Sequence, residues 1–203
     1  MLRKKTLIYK NFKESFQLFI VFFNKDNSLD TKLISEQIQI ISKIRSHGIV
    51  SLGLATEVNK LSYKEKVKII QFVAEHSKQR ISTAVTIQGN SIEEYIELIY
   101  VAKSNNANWI ILQPLLKENT TDKDCYIFFN KLILYVGNTL VGIQNAKEYL
   151  GAGVISKDVI KLYKKFPNFR VMKAESSAIF MGEEIKQYPR DLRVFNGRVD
   201  KKL

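Results

Sequence analysis

A lysine at the end of an apolar run is the first residue whose chemistry stands out. Phe169–Ser177 reads Phe-Arg-Val-Met-Lys-Ala-Glu-Ser-Ser, ending its apolar part on Lys173 and leading through Glu175 into a helical pattern. Side chains alternate along a strand, so Phe169, Val171, Lys173 and Glu175 are expected on one face and Arg170, Met172 and Ala174 on the other. In a parallel barrel, a strand that feeds a helix delivers its last residues to the catalytic end. Partial burial there disfavours an ammonium and frees the amine to attack a carbonyl carbon. The run also fits a solvated lysine at a strand end. Glu175, on the same face, suits either acid–base work or an ion pair with a neighbouring cation.

Such a lysine needs a sheet to carry it, and the chain alternates strand and helix throughout. Strand patterns fall at Phe16–Phe23, Ile49–Leu54, Ile81–Ile87, Asn108–Gln113, Thr139–Gln144, Phe169–Lys173 and Leu192–Phe195. Between them lie amphipathic helices at Thr31–Ser46, from Ser62 to about His76, from Ser91 to about Asn105, about Asp122–Val136, Ser156–Phe166 and Ser177–Tyr188. Asp30 is placed to cap the first helix and Gly48 to end it. Ser62 with Glu65 and Ser91 with Glu94 have capping-box spacing. The unit repeats at roughly thirty residues, the signature of parallel strands joined by crossover helices. Trp109–Leu112 and Leu140–Ile143 are apolar on both faces, as a sheet covered on both sides requires.

No Gly-x-Gly-x-x-Gly follows an early strand and no phosphate-loop motif occurs, so a dinucleotide fold loses ground to a (β/α)8 TIM barrel. The chain is expected to form one domain over 1–203, with 1–15 as an N-terminal extension. It reads as an α/β barrel that lacks its last βα unit, either as a truncated product or as a barrel closed by another chain. An open edge of that kind favours self-association.

Composition narrows the partners. Of the 203 residues 45% are hydrophobic, enough for a sizeable core. No apolar run reaches the ~18 residues of a membrane span, and no small-residue cleavage site follows Phe23, so a cytoplasmic location is expected. The single cysteine, Cys125, excludes an internal disulfide and a cysteine-based zinc site, and no metal is expected. His47 and His76 each fall near the end of a helical pattern, where a cation is favoured. The net charge of +12 comes from lysines scattered over every helix, which disfavours nucleic acid and suits a substrate with carboxylates.

The other strand ends supply the rest of the pattern. The second ends in Gly53-Leu54-Ala55-Thr56-Glu57 with Leu61-Ser62 beyond it, the fourth in Gln113-Pro114-Leu115-Leu116, and the fifth in Ile143-Gln144-Asn145-Ala146. With the opening Phe22-Phe23-Asn24-Lys25-Asp26-Asn27-Ser28-Leu29-Asp30, the run Pro167–Lys173 and Phe195-Asn196-Gly197, these segments resemble the dihydrodipicolinate synthase / N-acetylneuraminate lyase family of class I aldolases. The resemblance runs from about residue 16 to 198 and lies in spacing and order more than in motif letters.

That resemblance implies a cofactor-free lyase or aldolase, often oligomeric, acting on a 2-keto acid such as pyruvate or a sugar-derived keto acid. Lys173 takes the Schiff-base position. Ala55 and Thr56 would offer backbone N–H groups, and Thr56 a hydroxyl, to the substrate carboxylate, with Glu57 beside them. The positions that carry the family's adjacent hydroxyls are Leu54 and Ala55 here. Its proton-shuttling tyrosine falls at Gln144, and a second tyrosine falls at Leu116. An amide hydrogen-bonds but does not carry a proton at neutral pH. Glu175 is therefore the candidate for acid–base work, and Tyr149 either lines the pocket or packs. Two readings follow: a Schiff-base lyase, and a relic or binding protein that keeps the barrel without the hydroxyl relay.

Overall fold

The computed structural model describes residues 16–44, 46–77, 81–115 and 117–197. Its frame is one sheet of seven parallel strands in sequence order. These are β1 (Phe16–Leu18), β2 (Gly48–Ser51), β3 (Ser82–Ile87), β4 (Trp109–Leu112), β5 (Leu140–Asn145), β6 (Phe169–Ala174) and β7 (Arg193–Asn196). The helices are α1 (Thr31–Lys43), α2 (Tyr63–Ser77), α3 (Ile92–Ser104), α4 (Asp122–Val136), α5 (Lys147–Leu150), α6 (Ser156–Lys165) and α7 (Ala178–Ile185). The sheet curls as part of a TIM barrel, and among the described residues it has no eighth strand. The expected N-terminal extension, 1–15, lies outside the described residues.

The sheet divides the apolar residues into two cores. The outer one lies between sheet and helices, where Ile34, Ile38 and Ile41 of α1 and Phe129, Leu132 and Ile133 of α4 turn inward at helical spacing. Each such fully buried side chain contributes about 2 kcal/mol. The inner core fills the curl with Val50, Ala84, Trp109, Ile111, Leu140 and Val171. Phe16 of β1 and Phe195 of β7 close it from the two ends of the sheet. Their rings lie 5.7 and 5.6 Å from that of Trp109 and 6.3 Å from each other. Gly142 makes room for the indole, since a Cβ there would stand 2.8 Å from Trp109 Nε1.

Local sequence accounts for most of the ends. Asp30 caps α1 by accepting from Leu33 N, and Ser62 with Glu65 forms a reciprocal box ahead of α2. Thr121 with Asp124 does the same for α4, a box the spacing rule had not singled out.

Several expectations change. β1 stops at Leu18, because Phe19–Asp30 folds over as a turn pinned by a Phe23–Leu29 bridge. α1 stops at Lys43, short of Ser46. Gly48 opens β2 instead of ending a helix, and a Cβ there would lie 2.2 Å from the Phe16 ring. Phe169 packs in the outer core, opposite to Val171 and Lys173. The register slips between Val141 and Gly142, so Arg170 is an extra residue and alternation restarts at Val171. Its guanidinium turns back to the carbonyls of Phe166 and Phe169.

Candidate active site

β6 carries the site because its inner face changes from apolar to charged. Val171 belongs to the inner core, Lys173 is the next residue on that face, and Glu175 follows just past the strand. Both charged residues are buried, at 7% and 8% exposure. The Lys173 Nζ donates to Glu175 Oε1 at 2.6 Å. Glu175 is held in place because its backbone N–H donates to Asn145 O at 3.1 Å, carrying the β5–β6 ladder one step further. The lysine is thus buried together with its counter-ion, not merely desolvated as its position in the sequence suggested.

Gln144 of β5 pairs in register with Lys173 and is fully buried. Its Nε2 donates to the same Glu175 Oε1 at 2.7 Å. That contact fixes the amide, because the flipped orientation would set oxygen against carboxylate. The Gln144 Oε1 therefore points away from Glu175, and it has no hydrogen-bond partner among the described residues. Gly197 closes the pair from β7. Its N–H donates to Ala174 O at 2.8 Å, and a Cβ on it would come within 3.2 Å of Lys173 Cε and 3.3 Å of Glu175 Oε1.

A further residue joins this row that sequence reasoning left aside. Gln113 follows the paired Leu112 and Ile143, which puts it beside Gln144, and it shares the inner face with Ile111. It is buried, and its Oε1 has no partner among the described residues. The signal was there: Trp109–Gln113 and Leu140–Gln144 are two apolar runs that each end on a glutamine. Thr86, in register with Ile111 and one layer deeper, also has a buried Oγ1 without a partner.

The Gly53–Glu57 loop stands at the same end of the sheet, because all the strands are parallel and β2 leads into it. It is tightly wound: Leu52 and Glu57 have φ of 58° and 52°, rare for residues with a side chain. Thr56 is buried, with its hydroxyl donating to Phe19 O and its N–H to Gly53 O. Glu57 gives its N–H to Leu54 O and pairs its exposed carboxylate with Lys60. Ala55 is exposed, and the first N–H groups of a helical turn have no partner within that turn. The structure thus brings Lys173, Glu175 and Gln144 together, while Thr56 gives its N–H to its own turn and its hydroxyl to Phe19 O, and Glu57 gives its N–H to its own turn. Tyr149 is exposed on α5, and Leu116 lies outside the described residues.

Other groups are not poised for chemistry. Burial, with Asp122 and Asp124 nearby, pushes the Cys125 thiol up to about 11, which keeps it inert. Among the described residues no group of three His, Cys, Asp or Glu is placed to hold a metal. No helix among them is long and apolar enough to cross a membrane.

A sequence profile of the dihydrodipicolinate synthetase family matches residues 11–203. The 4-hydroxy-tetrahydrodipicolinate synthase of Endomicrobium trichonymphae is 24% identical over 173 residues, which are 85% of this chain and 59% of that protein. The chain thus spans about three fifths of the length of this curated relative. Among solved structures, the Escherichia coli K12 prophage protein YagE in complex with pyruvate superposes with a TM-score of 0.84 at 20% identity, covering 92% of this chain and 64% of its own. The 2-keto 3-deoxygluconate aldolase of Picrophilus torridus does so at 0.83 and 18%, covering 92% and 67%.

Proposed function

This chain belongs to the dihydrodipicolinate synthetase family, and on that premise we propose that it is a class I lyase or aldolase that binds a 2-keto acid as a Schiff base on Lys173. The observation that carries the reading is the buried Lys173–Glu175 pair, with Nζ and Oε1 2.6 Å apart on the inner face of the sheet. The pyruvate bound by the prophage protein and the keto acid substrate of the aldolase support the substrate class.

The pair supplies the proton balance. The Lys173 ammonium passes a proton to Glu175, giving amine and carboxylic acid without a net charge in the buried site. The amine adds to the keto carbon and forms a carbinolamine. Glu175 then returns the proton to the departing hydroxyl, so that water leaves and an iminium remains beside a carboxylate. In carbon–carbon cleavage the Glu175 carboxylate takes the proton of the hydroxyl on the carbon beyond the breaking bond. The electron pair of that bond moves into the iminium to give an enamine, and a carbonyl product leaves. The enamine then regains a proton from Glu175, and water releases the keto acid from Lys173. Gln144 holds Glu175 in place and itself transfers no proton. The loop after β2 receives the substrate carboxylate, chiefly through the Ala55 backbone at the start of its turn, with Thr56 and Glu57 shaping that turn.

The same reading places the protein in the cytoplasm as a homo-oligomer. Exposed Ile179, Phe180 and Ile185 on α7 support self-association, which light scattering tests. A second reading, a binding protein without turnover, is favoured by one observation: Leu54, Ala55 and Gln144 bring no hydroxyl to the positions of the usual relay. Borohydride reduction in the presence of 2-keto acids separates the two. A mass increment on Lys173 with cleavage of substrate establishes the lyase. An adduct without cleavage, or none in a folded sample, establishes the binding protein.

A further inference from the structure

Gln113, Gln144 and Lys173 form a row across the inner face of β4, β5 and β6, with strands about 4.8 Å apart. The two amide oxygens in that row are buried acceptors with no partner among the described residues, and Thr86 Oγ1 lies one layer below them. Buried acceptors without a protein partner are rare in folded proteins, and each calls for a donor from water or a ligand. The Gln144 oxygen cannot be relieved by flipping its amide, since Glu175 holds the nitrogen. The register sets Gln144 one strand and Gln113 two strands from Lys173 on its β4 side, at the level of its side chain. A methyl or methylene group set there would leave both amide oxygens unpaired, whereas a hydroxyl would donate its proton to one of them.

We propose that Gln113 and Gln144 form a hydroxyl-accepting subsite, and that the site selects 2-keto acids bearing a hydroxyl group over their deoxy counterparts, with Gln113 as the specificity-determining residue. This rests on the Schiff-base reading and adds to it a preference among keto acids. Among the described residues Gln113 has no hydrogen bond to the Lys173–Glu175 pair, so its part is read in the ratio between acids.

The test uses matched pairs that differ by one hydroxyl: pyruvate against 3-hydroxypyruvate, and 2-ketobutyrate against 2-keto-4-hydroxybutyrate. Concentrations for half-maximal borohydride trapping are measured on the native protein and on Gln113→Met. The hydroxylated member of at least one pair is expected to trap at about tenfold lower concentration in the native protein, the effect of one net hydrogen bond. Gln113→Met should reduce that ratio several-fold, the ratio being taken within each protein so that any change common to both acids drops out. Comparing the ratios between proteins cancels the intrinsic reactivity of each acid. The melting temperature of ligand-free Gln113→Met should stay level or rise, because a buried acceptor without a partner has been removed. Equal ratios in both proteins, or a melting temperature that falls by several degrees, would show a structural glutamine and overturn the proposal. Absence of any adduct with all four acids would instead overturn the Schiff-base reading beneath it.

Discussion

Two lysines are buried among the described residues, and each faces a glutamate. Lys66, on α2, is 1% exposed. Its Nζ donates to Gln88 O at 3.0 Å, to Gln88 Oε1 at 3.2 Å and to Glu94 Oε1 at 3.2 Å, one acceptor for each proton of the ammonium. The other Glu94 oxygen accepts from the Asn90 N–H at 2.8 Å. Everything at that site serves to fasten the turn between β3 and α3. Lys173 has one acceptor among the described residues, Glu175, and its surroundings hold acceptors with no donor at all. A saturated buried pair fixes structure, whereas an unsaturated one beside unmatched acceptors carries a standing cost that a ligand can remove.

The largest test of that contrast exchanges each lysine for methionine. Lys173→Met should abolish borohydride trapping altogether. Because it strands the buried Glu175 carboxylate, its stability is read on Lys173→Met with Glu175→Gln, which should melt near the native protein or above it. Lys66→Met removes one partner of a saturated buried pair and should cost about 3 kcal/mol, or roughly 6–12 °C in melting temperature for a chain of this size. Its folded fraction should still trap at Lys173. Calorimetry and peptide mass mapping on both variants decide it. If Lys173→Met with Glu175→Gln proves more destabilising than Lys66→Met, the distinction collapses.

Each pair also lies under a glycine, which allows a finer comparison. A Cβ on Gly197 would approach Lys173 Cε to 3.2 Å, and one on Gly89 would approach Glu94 Cβ and Tyr95 Cδ2 to 3.1 Å each. Both contacts require the neighbour to shift by a few tenths of an ångström. Gly197→Ala should slow trapping about tenfold, since reacting groups are sensitive to small displacements, with less than about 1 kcal/mol of stability lost. Gly89→Ala should cost about 1–2 kcal/mol by overpacking and leave the trapping rate alone. Rates and melting temperatures that move together in both variants would mean that the two sites differ less than their geometry implies.

How far the contrast could be read beforehand depends on distance along the chain. Lys173 and Glu175 are two residues apart on one strand, so alternation alone placed them side by side. Gln144 followed from the strand–helix repeat, which set β5 beside β6 in order. The Lys66 site joins α2 to the β3–α3 turn. Ser91 caps α3 by accepting from the Glu94 N–H, as its spacing with Glu94 predicted, but the Glu94 carboxylate reaches Asn90 and Lys66 instead of closing the box. Spacing rules see only the local partner. The bulge that sends Phe169 outward depends on how β5 and β6 twist against each other, and that is not written in either strand. Thr56 looked like a donor for a ligand because residue types do not show that its hydroxyl will be taken by Phe19 O, thirty-seven residues away.

The smallest effect concerns an exposed carboxylate on the helix that carries Lys66, and it calibrates the buried pairs. Ser62 and Glu65 close a capping box at the start of α2. The Ser62 hydroxyl, and after it the Ser62 backbone N–H, hold the Glu65 carboxyl below its ordinary value of 4.5. A carboxyl lowered by folding adds stability that is fully present above its unfolded value and lost as pH falls through the lower, folded one. Ser62→Ala should therefore cost about 1 kcal/mol at pH 7, and the gap to the native protein should narrow as pH drops below 4.5, once the glutamate protonates in both. Urea denaturation at pH 7 and pH 3 measures it. The Lys66→Met penalty is set by burial and packing as well as by charge, so a larger share of it should survive at pH 3. If the two penalties shrink in the same proportion, the buried pair behaves as a solvated one, and the argument that burial separates structural from reactive lysines in this fold loses its first half.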